Sequence, residues 1–401
     1  MPDALSPLAA LPTLTWDEAD TPQTANWRSE RGAPPPRRVQ LADDTLAADI
    51  AYRLACEGTG LLWRGDFQNA RLLLQALERR IDRVPPRRKG RAEPAPAPVA
   101  PEVPGAAFHR HRQARAQRAR VLAMVLMPLD GDYRIPLRRA PDHRAACSEA
   151  WGAADGAPSV VSLRELLGVV SAFEWRKKGV PFPALGPAPD NRIHPHYGVF
   201  SPVRGEYVDL VAHAELPAAA AARGAFDIGT GTGVLAAVLA RREVAPLLAT
   251  DLDPRALACA QENLTRLALL PAVQLLQADL FPPGRAGLVV CNPPWLPARP
   301  GSALERAVYD EDSRMLKAYL AGLAAHLAPG GEGWLILSDL AEHLGLRTRI
   351  ELLGWIETAG LQVLGRIDTR PTHRKVADTD DPLHRARARE VTSLWRLGAS
   401  A

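Results

Sequence analysis

The sequence predicts an α/β fold: a doubly wound, seven-stranded sheet over residues 191–401, preceded by a mostly helical accessory region. Three observations carry this expectation. After Pro195, short apolar runs alternate with helical stretches, which makes a parallel sheet covered on both faces. A glycine-rich loop, FDIGTGTG, follows the first of those runs and precedes the helical stretch LAAVLARR. Upstream, the stretch from Pro85 to Pro104 holds seven prolines mixed with Arg and Ala, a composition that gives an extended linker rather than a packed element.

Taken in order, residues 42 to 56 place Leu46, Ile50 and Leu54 at helical spacing, and Gly58 stands where a C-terminal cap belongs. Asp66 can cap a second helix whose face is Phe67, Ala70, Leu74, Leu77 and Ile81. Beyond the linker comes an Arg-rich helical start, then the apolar run VLAMVLMPL and an Asp130-Gly131-Asp132 turn placed to close a hairpin. Ser162 and Glu165 form a capping box for a helix with Leu166, Leu167, Val170 and Phe173 on its buried face, ended by Gly179 and Pro181. Trp63 and Trp175 are read as core residues of this region. The expected organisation is an N-terminal helical segment at 1–84, a linker at 85–107, a second accessory part at 108–190 and the sheet domain at 191–401.

The seven expected strands are 225–230, 246–252, 273–281, 287–292, 332–338, 361–368 and 390–397, with helical stretches between the first six. A polar, basic loop separates the last two. It fits a final strand inserted antiparallel at the sheet edge.

Composition narrows the function. The net charge is +4 and the isoelectric point is near 9.0, less basic than a dedicated nucleic-acid coat. Basic residues are nevertheless uneven. Twelve Arg or Lys against three acidic residues lie between Arg79 and Arg120, and Arg370, His373, Arg374, Lys375, Arg385, Arg387 and Arg389 form a second run. Solvated surface and polyanion binding both remain open for them. No apolar run approaches the roughly 20 residues of a membrane span, and the first residues lack a basic-then-apolar leader. Cys56, Cys147, Cys259 and Cys291 are scattered, so free thiols and a cytoplasmic location are expected.

Gly229, Gly231 and Gly233 let the backbone pass close to a ligand at a helix N-terminus. Val234 stands where a dinucleotide fingerprint wants Gly or Ala, and no Lys follows as a P-loop requires. Asp251 ends the second strand about 20 residues past the loop, where a carboxylate can accept from both ribose hydroxyls of an adenosine-containing ligand. Asp253 and Pro254 then start a helix as cap and first residue. At the end of the third strand, Asp279 occupies the next loop on the same edge and can accept from an adenine amino group.

DIGTGTG, TDLDPRALACAQENL, ADLF and NPPWLP together resemble the class I S-adenosylmethionine-dependent methyltransferases. Within them the sequence resembles the Asn-Pro-Pro-aromatic branch, which includes HemK-type protein-glutamine methyltransferases and "small domain" methyltransferases of ribosomal RNA bases. The resemblance covers roughly residues 195 to 400 and implies a Rossmann-like methyltransferase sheet with S-adenosylmethionine as cofactor. On it, Asp227 would orient the methionine amino group, the glycines would wrap methionine and ribose, and Asp251 and Asp279 would read the nucleoside. The implied cofactor set is Asp227, Gly229, Thr230, Gly231, Gly233, Asp251, Leu252, Asp279, Leu280 and Asn292.

Asn292 also has a chemical argument of its own. An amide or exocyclic base amine is planar, its lone pair is delocalised, and it attacks poorly. The Asn292 side-chain oxygen and the Pro293 carbonyl can accept its two N–H groups and aim its lone pair at a methyl donor. Trp295 offers a face for stacking on a planar acceptor. The catalytic candidates are therefore Asn292, Pro293 and Trp295.

Upstream, Tyr197 and Phe200 are candidate lids over the cofactor, with core packing the alternative. His194 and His196 are read as solvated histidines rather than a metal pair, and no metal is expected. The expected partner is a ribosomal or transfer RNA base, with a glutamine of a protein factor as the alternative acceptor. A reading from another class is a non-catalytic module that binds S-adenosylmethionine and RNA.

Overall fold

A computed structural model describes residues 11–83, 103–202, 205–302, 304–372 and 378–400. Most of the proline-rich linker, and His373, Arg374 and Lys375 of the second basic run, lie outside the described residues. The chain divides into two compact units. The first holds residues 11–83 with Arg112–Phe173, and the second holds Val103–His111 with residues from Glu174 onward.

In chain order the first unit and its boundaries contain β1 (Thr13–Glu18), β2 (Thr21–Arg28), β3 (Arg38–Ala42), α1 (Ala48–Cys56), β4 (Thr59–Trp63), α2 (Phe67–Ile81), α3 (Ala106–Leu122), β5 (Val125–Leu129), α4 (Arg144–Trp151), β6 (Ser159–Ser162) and α5 (Leu163–Lys178). Its six strands form one mixed sheet in the order β1-β2-β6-β5-β4-β3. The expectation of a mostly helical accessory region therefore needs correction: the helices are present, but they are organised on a sheet. Strands β4, β5 and β6 are buried along their whole length, so they show no polar and apolar alternation, and such short apolar runs do not reveal their type in sequence.

The local expectations for this unit fare unevenly. Asp66 caps α2 by accepting from Gln68 N at 2.9 Å, and Phe67, Ala70, Leu73, Leu74 and Leu77 are buried. Gly58 lies just past α1 with φ +81°. The buried face of α1 is Ala51 and Ala55, however, and Ile50 is exposed. Asp130-Gly131-Asp132 does turn the chain, with Tyr133 N bonded to Asp130 O at 2.9 Å, but β5 pairs with the distant β6 rather than closing a hairpin. Ser162 accepts from Glu165 N at 3.1 Å, while the Glu165 carboxylate bonds Glu30 N instead of completing the box. Trp63 is buried, as expected; Trp175 is exposed and belongs to the second unit.

The second unit continues with the two-stranded β7 (Val180–Pro181) and β8 (Arg192–Ile193), then α6 (Glu206–His213), α7 (Ala218–Arg223), β9 (Ala225–Ile228), α8 (Val234–Arg241), β10 (Leu247–Asp251), α9 (Pro254–Arg266), β11 (Val273–Gln277) and β12 (Ala286–Cys291). After these come α10 (Arg314–His326), β13 (Leu327–Ser338), α11 (Leu340–His343), α12 (Arg349–Thr358), β14 (Leu361–Thr369), α13 (His384–Arg387) and β15 (Thr392–Ala399). All seven expected strands form one sheet, ordered β11-β10-β9-β12-β13-β15-β14. The last strand is antiparallel to both neighbours, β13 and β14. It sits one place in from the edge, which β14 forms. No helix separates β11 from β12, contrary to expectation; a short loop suffices because the chain only has to cross to the far side of β9.

Alternation along the strands decides which face each residue covers. Ala225, Leu288, Val290, Trp334 and Ile336 pack against α6, α8 and α9. Their neighbours Phe226, Ile228, Val289, Cys291, Leu335 and Leu337 pack against α10 and α12. Each fully buried Leu or Ile removes enough apolar surface from water to favour the fold by about 1.5–3 kcal/mol. This two-sided burial holds the ends of the central strands rigid, and the candidate site stands on those ends.

Candidate active site

The strand order reverses between β9 and β12, whose chain connections leave on opposite sides, so a crevice opens at their C-terminal ends. Asp227 lies in β9 and the glycine loop follows it; Asp251 ends β10, Asp279 follows β11, and Asn292 follows β12. Four adjacent strands thus bring the expected residues to one edge.

Gly229, Gly231 and Gly233 have φ of +70°, +55° and +80°, in the left-handed region that side chains avoid. A Cβ on Gly233 would come within 3.1 Å of Ala260 in α9, whereas one on Gly231 would meet only Gly229 O, at 4.0 Å. Gly233 is fixed by packing. Gly231 leaves its backbone open to approach. Thr230 is buried, and its hydroxyl donates to Asp227 Oδ2 at 2.7 Å.

Asp227 is 1% exposed and also accepts from Ala236 N at 3.0 Å, within the first turn of α8. Burial pushes its carboxyl up to about 6, against the opposing pull of those two bonds and with a further upward push from the charge of Asp251. Asp251 is raised as well, chiefly by burial, although it accepts from Asp253 N at 2.9 Å and Gly231 N at 3.0 Å. A buried and a half-buried carboxylate thus sit beside a glycine loop, and the charge of Asp251 disfavours ionisation of Asp227. That acceptor set fits a ligand bearing an ammonium and hydroxyl groups, as S-adenosylmethionine does.

The neighbouring loops are tied to this pair. Thr250 Oγ1 donates to Leu280 O at 2.5 Å, and Gln277 Nε2 donates to Leu252 O at 3.1 Å. Asp279 is exposed on the same edge, as is Leu252; Leu280 is half-buried. Asp253 caps α9 through Arg255 N at 2.9 Å, as its sequence position implied.

Asn292 is half-buried and Pro293 is buried. Trp295 Nε1 donates to Asn292 Oδ1 at 2.9 Å, and the half-buried ring packs against both core clusters. The sequence suggested Trp295 as a stacking face; the structure adds a polar link between the two residues. An indole N–H can only donate, so it fixes the carboxamide with its oxygen toward Trp295 and its NH2 turned elsewhere. Tyr207 of α6 stands near that carboxamide: burial pushes its phenol upward, and the Asn292 side chain opposes the rise. One lone pair of Oδ1 is left for another donor.

Sequence reasoning did not single out Tyr207, because one buried aromatic on an amphipathic helix carries no signal of its own. Met315 was also missed. Its Cε would lie 3.0 Å from a Cβ on Gly229, and its backbone is held by Asp310, which accepts from Met315 N and Leu316 N at 3.1 Å each. Asp310 N in turn donates to Leu296 O at 2.9 Å, bracing the Asn-Pro-Pro-Trp loop from behind.

The remaining candidates are placed less centrally. Tyr197 and Phe200 are half-buried. His194 and His196, expected to be solvated, are instead half-buried and bonded, to Arg176 O at 2.6 Å and Glu262 Oε2 at 2.7 Å. Among the described residues no group of three His, Cys, Asp or Glu side chains could hold a metal. Cys56 is exposed and the other three thiols are free and buried. No described helix is long and apolar enough to cross a membrane.

A seven-stranded sheet of this order, with the glycine loop and Asp251 at its switch point, matches the Rossmann-like sheet implied by the resemblance to class I S-adenosylmethionine-dependent methyltransferases. Comparison with known proteins agrees. The family described as "Methyltransferase small domain" matches residues 190–352. The chain is 36% identical over 161 residues to the release factor glutamine methyltransferase of Cereibacter sphaeroides, covering 36% of this chain and 55% of that protein. It is 30% identical over 176 residues to the tRNA1(Val) (adenine(37)-N6)-methyltransferase of Shewanella amazonensis, covering 39% of this chain and 73% of that protein. A solved structure of ribosomal protein L11 methylase from Lactobacillus delbrueckii subsp. bulgaricus aligns with 54% of this chain and 90% of that one, at 16% identity and a TM-score of 0.36. The chain spans about half the length of the release-factor relative it matches. It belongs to the small-domain family of S-adenosylmethionine-dependent methyltransferases.

Proposed function

We propose that the chain transfers a methyl group to a planar exocyclic nitrogen of a base in ribosomal or transfer RNA. S-adenosylmethionine would supply an electrophilic methyl carried on a sulfonium. The chain's own part begins with binding: Asp227 takes the ammonium, Asp251 the ribose hydroxyls and Asp279 the adenine amino group, with Gly229, Thr230, Gly231, Gly233, Leu252 and Leu280 shaping the cradle. Asn292 Oδ1 and the Pro293 carbonyl accept the two N–H groups of the base amine and turn its lone pair toward the methyl. As positive charge grows on that nitrogen, these fixed acceptors stabilise it without a strong base, and the methylated nitrogen then loses one proton to water.

The observation that carries this reading is the Asn292 carboxamide, its oxygen held by Trp295 Nε1 at 2.9 Å with one acceptor position left over. A non-catalytic module has no need of such an arrangement. The Arg-rich segment between Arg79 and Arg120 favours RNA over protein as the acceptor. A glutamine of a release factor is the second reading, favoured by the 36% identity to a release factor glutamine methyltransferase.

The test offers methyl-labelled S-adenosylmethionine with transfer RNA, ribosomal RNA and release factors in separate reactions. Label on a base amine supports the RNA reading, and label on glutamine overturns it in favour of the second. In the productive reaction, Asn292→Ala should lower turnover about 10²- to 10³-fold while leaving cofactor affinity near normal; unchanged turnover would refute the mechanism, whichever acceptor is used.

A further inference from the structure

A cleft of about 300 Å³ lies in the first unit between α2 and α5, near the lower bound of sizes that take a small ligand. Leu74 and Leu167 form its apolar floor, Gln75 and Glu78 face it from α2, and Arg71 and Arg164 flank it. Arg164 is unusual. Its Nη1 is buried and has no hydrogen-bond partner. Burial, then the charges of Arg118, Arg31 and Arg115, depress its pKa, opposed by Glu78. The nearby acids are partly committed: Glu78 and Asp82 pair with Arg118 at 3.7 and 3.1 Å, and Glu165 receives Glu30 N. A guanidinium held among like charges with an empty donor is unfavourable in the free protein, and an incoming anion relieves it.

Gly168 is the second observation. It lies inside α5 and lines the same cleft, yet a Cβ there would meet nothing within 4 Å. A glycine within a helix costs stability relative to alanine, and nothing in the chain's own packing requires it. Its absent side chain leaves bare backbone for a flat group to approach.

We infer that this cleft binds one nucleotide of a single-stranded RNA segment. Its phosphate lies on Arg164 and Arg71, its base lies over Leu74, Leu167 and Gly168, and the Gln75 amide meets the base edge with one donor and one acceptor. This deepens the RNA reading above and rests on it for the identity of the polyanion. Clustered guanidinium groups suit phosphate, and an apolar floor suits a base.

The test measures binding of the full chain to a single-stranded RNA of about 12 nucleotides across salt concentrations, with Gly168→Glu and Arg164→Gln. Gly168→Glu fills the cleft with a carboxylate at an exposed helix position that favours any residue over glycine, so the variant keeps its fold. Affinity should fall about tenfold or more in each variant, the salt slope should shrink by about one in Arg164→Gln, and cofactor affinity should stay the same. RNA affinity unchanged in Gly168→Glu overturns the cleft while leaving the acceptor reading intact. Loss of RNA binding in Gly168→Glu, in a chain that methylates only release factors, overturns the acceptor reading and keeps the cleft. A wild-type chain that binds no RNA, or an acidic peptide that competes for the cleft better than RNA, overturns the inference.

Discussion

Each unit buries an aspartate whose carboxylate accepts from the first turn of a helix, and the two live in opposite surroundings. Asp66 in the first unit caps α2 and accepts from Arg139 Nε at 2.6 Å and Arg138 Nε at 3.3 Å. Those partners, Arg139 foremost, hold its carboxyl down to about 2. Asp227 in the second unit accepts from Thr230 Oγ1 and from Ala236 N at the start of α8, but burial dominates and holds it up at about 6. The chain neutralises the charge that serves its fold. It leaves uncompensated the charge that, on our reading, serves a ligand.

The largest effect that could break this contrast is on cofactor affinity. Asp227→Asn keeps the shape and removes the charge, so affinity for S-adenosylmethionine should drop about 10- to 100-fold. The cofactor-free protein should be no less stable at pH 7, since the change also removes the cost of ionising a buried carboxylate. Calorimetry with and without cofactor reads both quantities. An unchanged dissociation constant would mean that Asp227 is a structural cap like Asp66.

A pH series sharpens the same point. Asp227 is raised in the folded state, so its stabilising contribution is present below the ordinary carboxylate value and is lost as pH rises through about 6. Binding of an ammonium needs the ionised form. Cofactor affinity should therefore fall about tenfold per pH unit below 6, with a proton released on binding near pH 5.5. Asp251→Asn should move that midpoint down, because the charge of Asp251 is one of the causes that raise Asp227. A profile flat from pH 5 to 7 would contradict the assignment.

The next effect is smaller and concerns orientation. Tyr207→Phe removes the polar neighbour of the Asn292 carboxamide while the Trp295 bond to Oδ1 remains. Turnover should fall about 3- to 10-fold, the size of a neutral hydrogen bond, with KM for the acceptor little changed. A loss confined to stability, with kcat intact, would reduce Tyr207 to packing.

How legible the chain was follows from the same contrast. In the second unit the site we propose needs specific atoms at the strand ends, so DIGTGTG, the acid ending β10 and Asn-Pro-Pro-Trp announced themselves, and alternation located all seven strands. In the first unit β4, β5 and β6 are buried on both faces, so only a run of apolar residues marks them, and a helix segment would look the same. The face of α1 was misplaced because small alanines 51 and 55 do the packing while the larger Ile50 points outward. Pairings across long sequence separation were invisible everywhere. Tyr207 to Asn292 at the site and β5 to β6 in the accessory sheet are both products of tertiary folding.

The smallest effect on activity should come from Asp66, and for that reason it closes the comparison. Asp66→Asn retains a capping oxygen for Gln68 N but deprives Arg138 and Arg139 of their carboxylate, so the first unit loses a charge-assisted link between α2 and the chain after β5. Because the folded-state value is depressed, the stabilisation is present above the ordinary carboxylate range and is lost as pH falls through about 2. The variant should therefore unfold at a lower temperature than the wild type at pH 7, and this gap should narrow in strong acid. Cofactor affinity, which we assign to the other unit's carboxylates, should stay within experimental error. If Asp66→Asn weakened cofactor binding as much as Asp227→Asn, the division of labour between the two buried aspartates would be wrong, and the accessory sheet would have to be counted among the elements that shape the cofactor cradle.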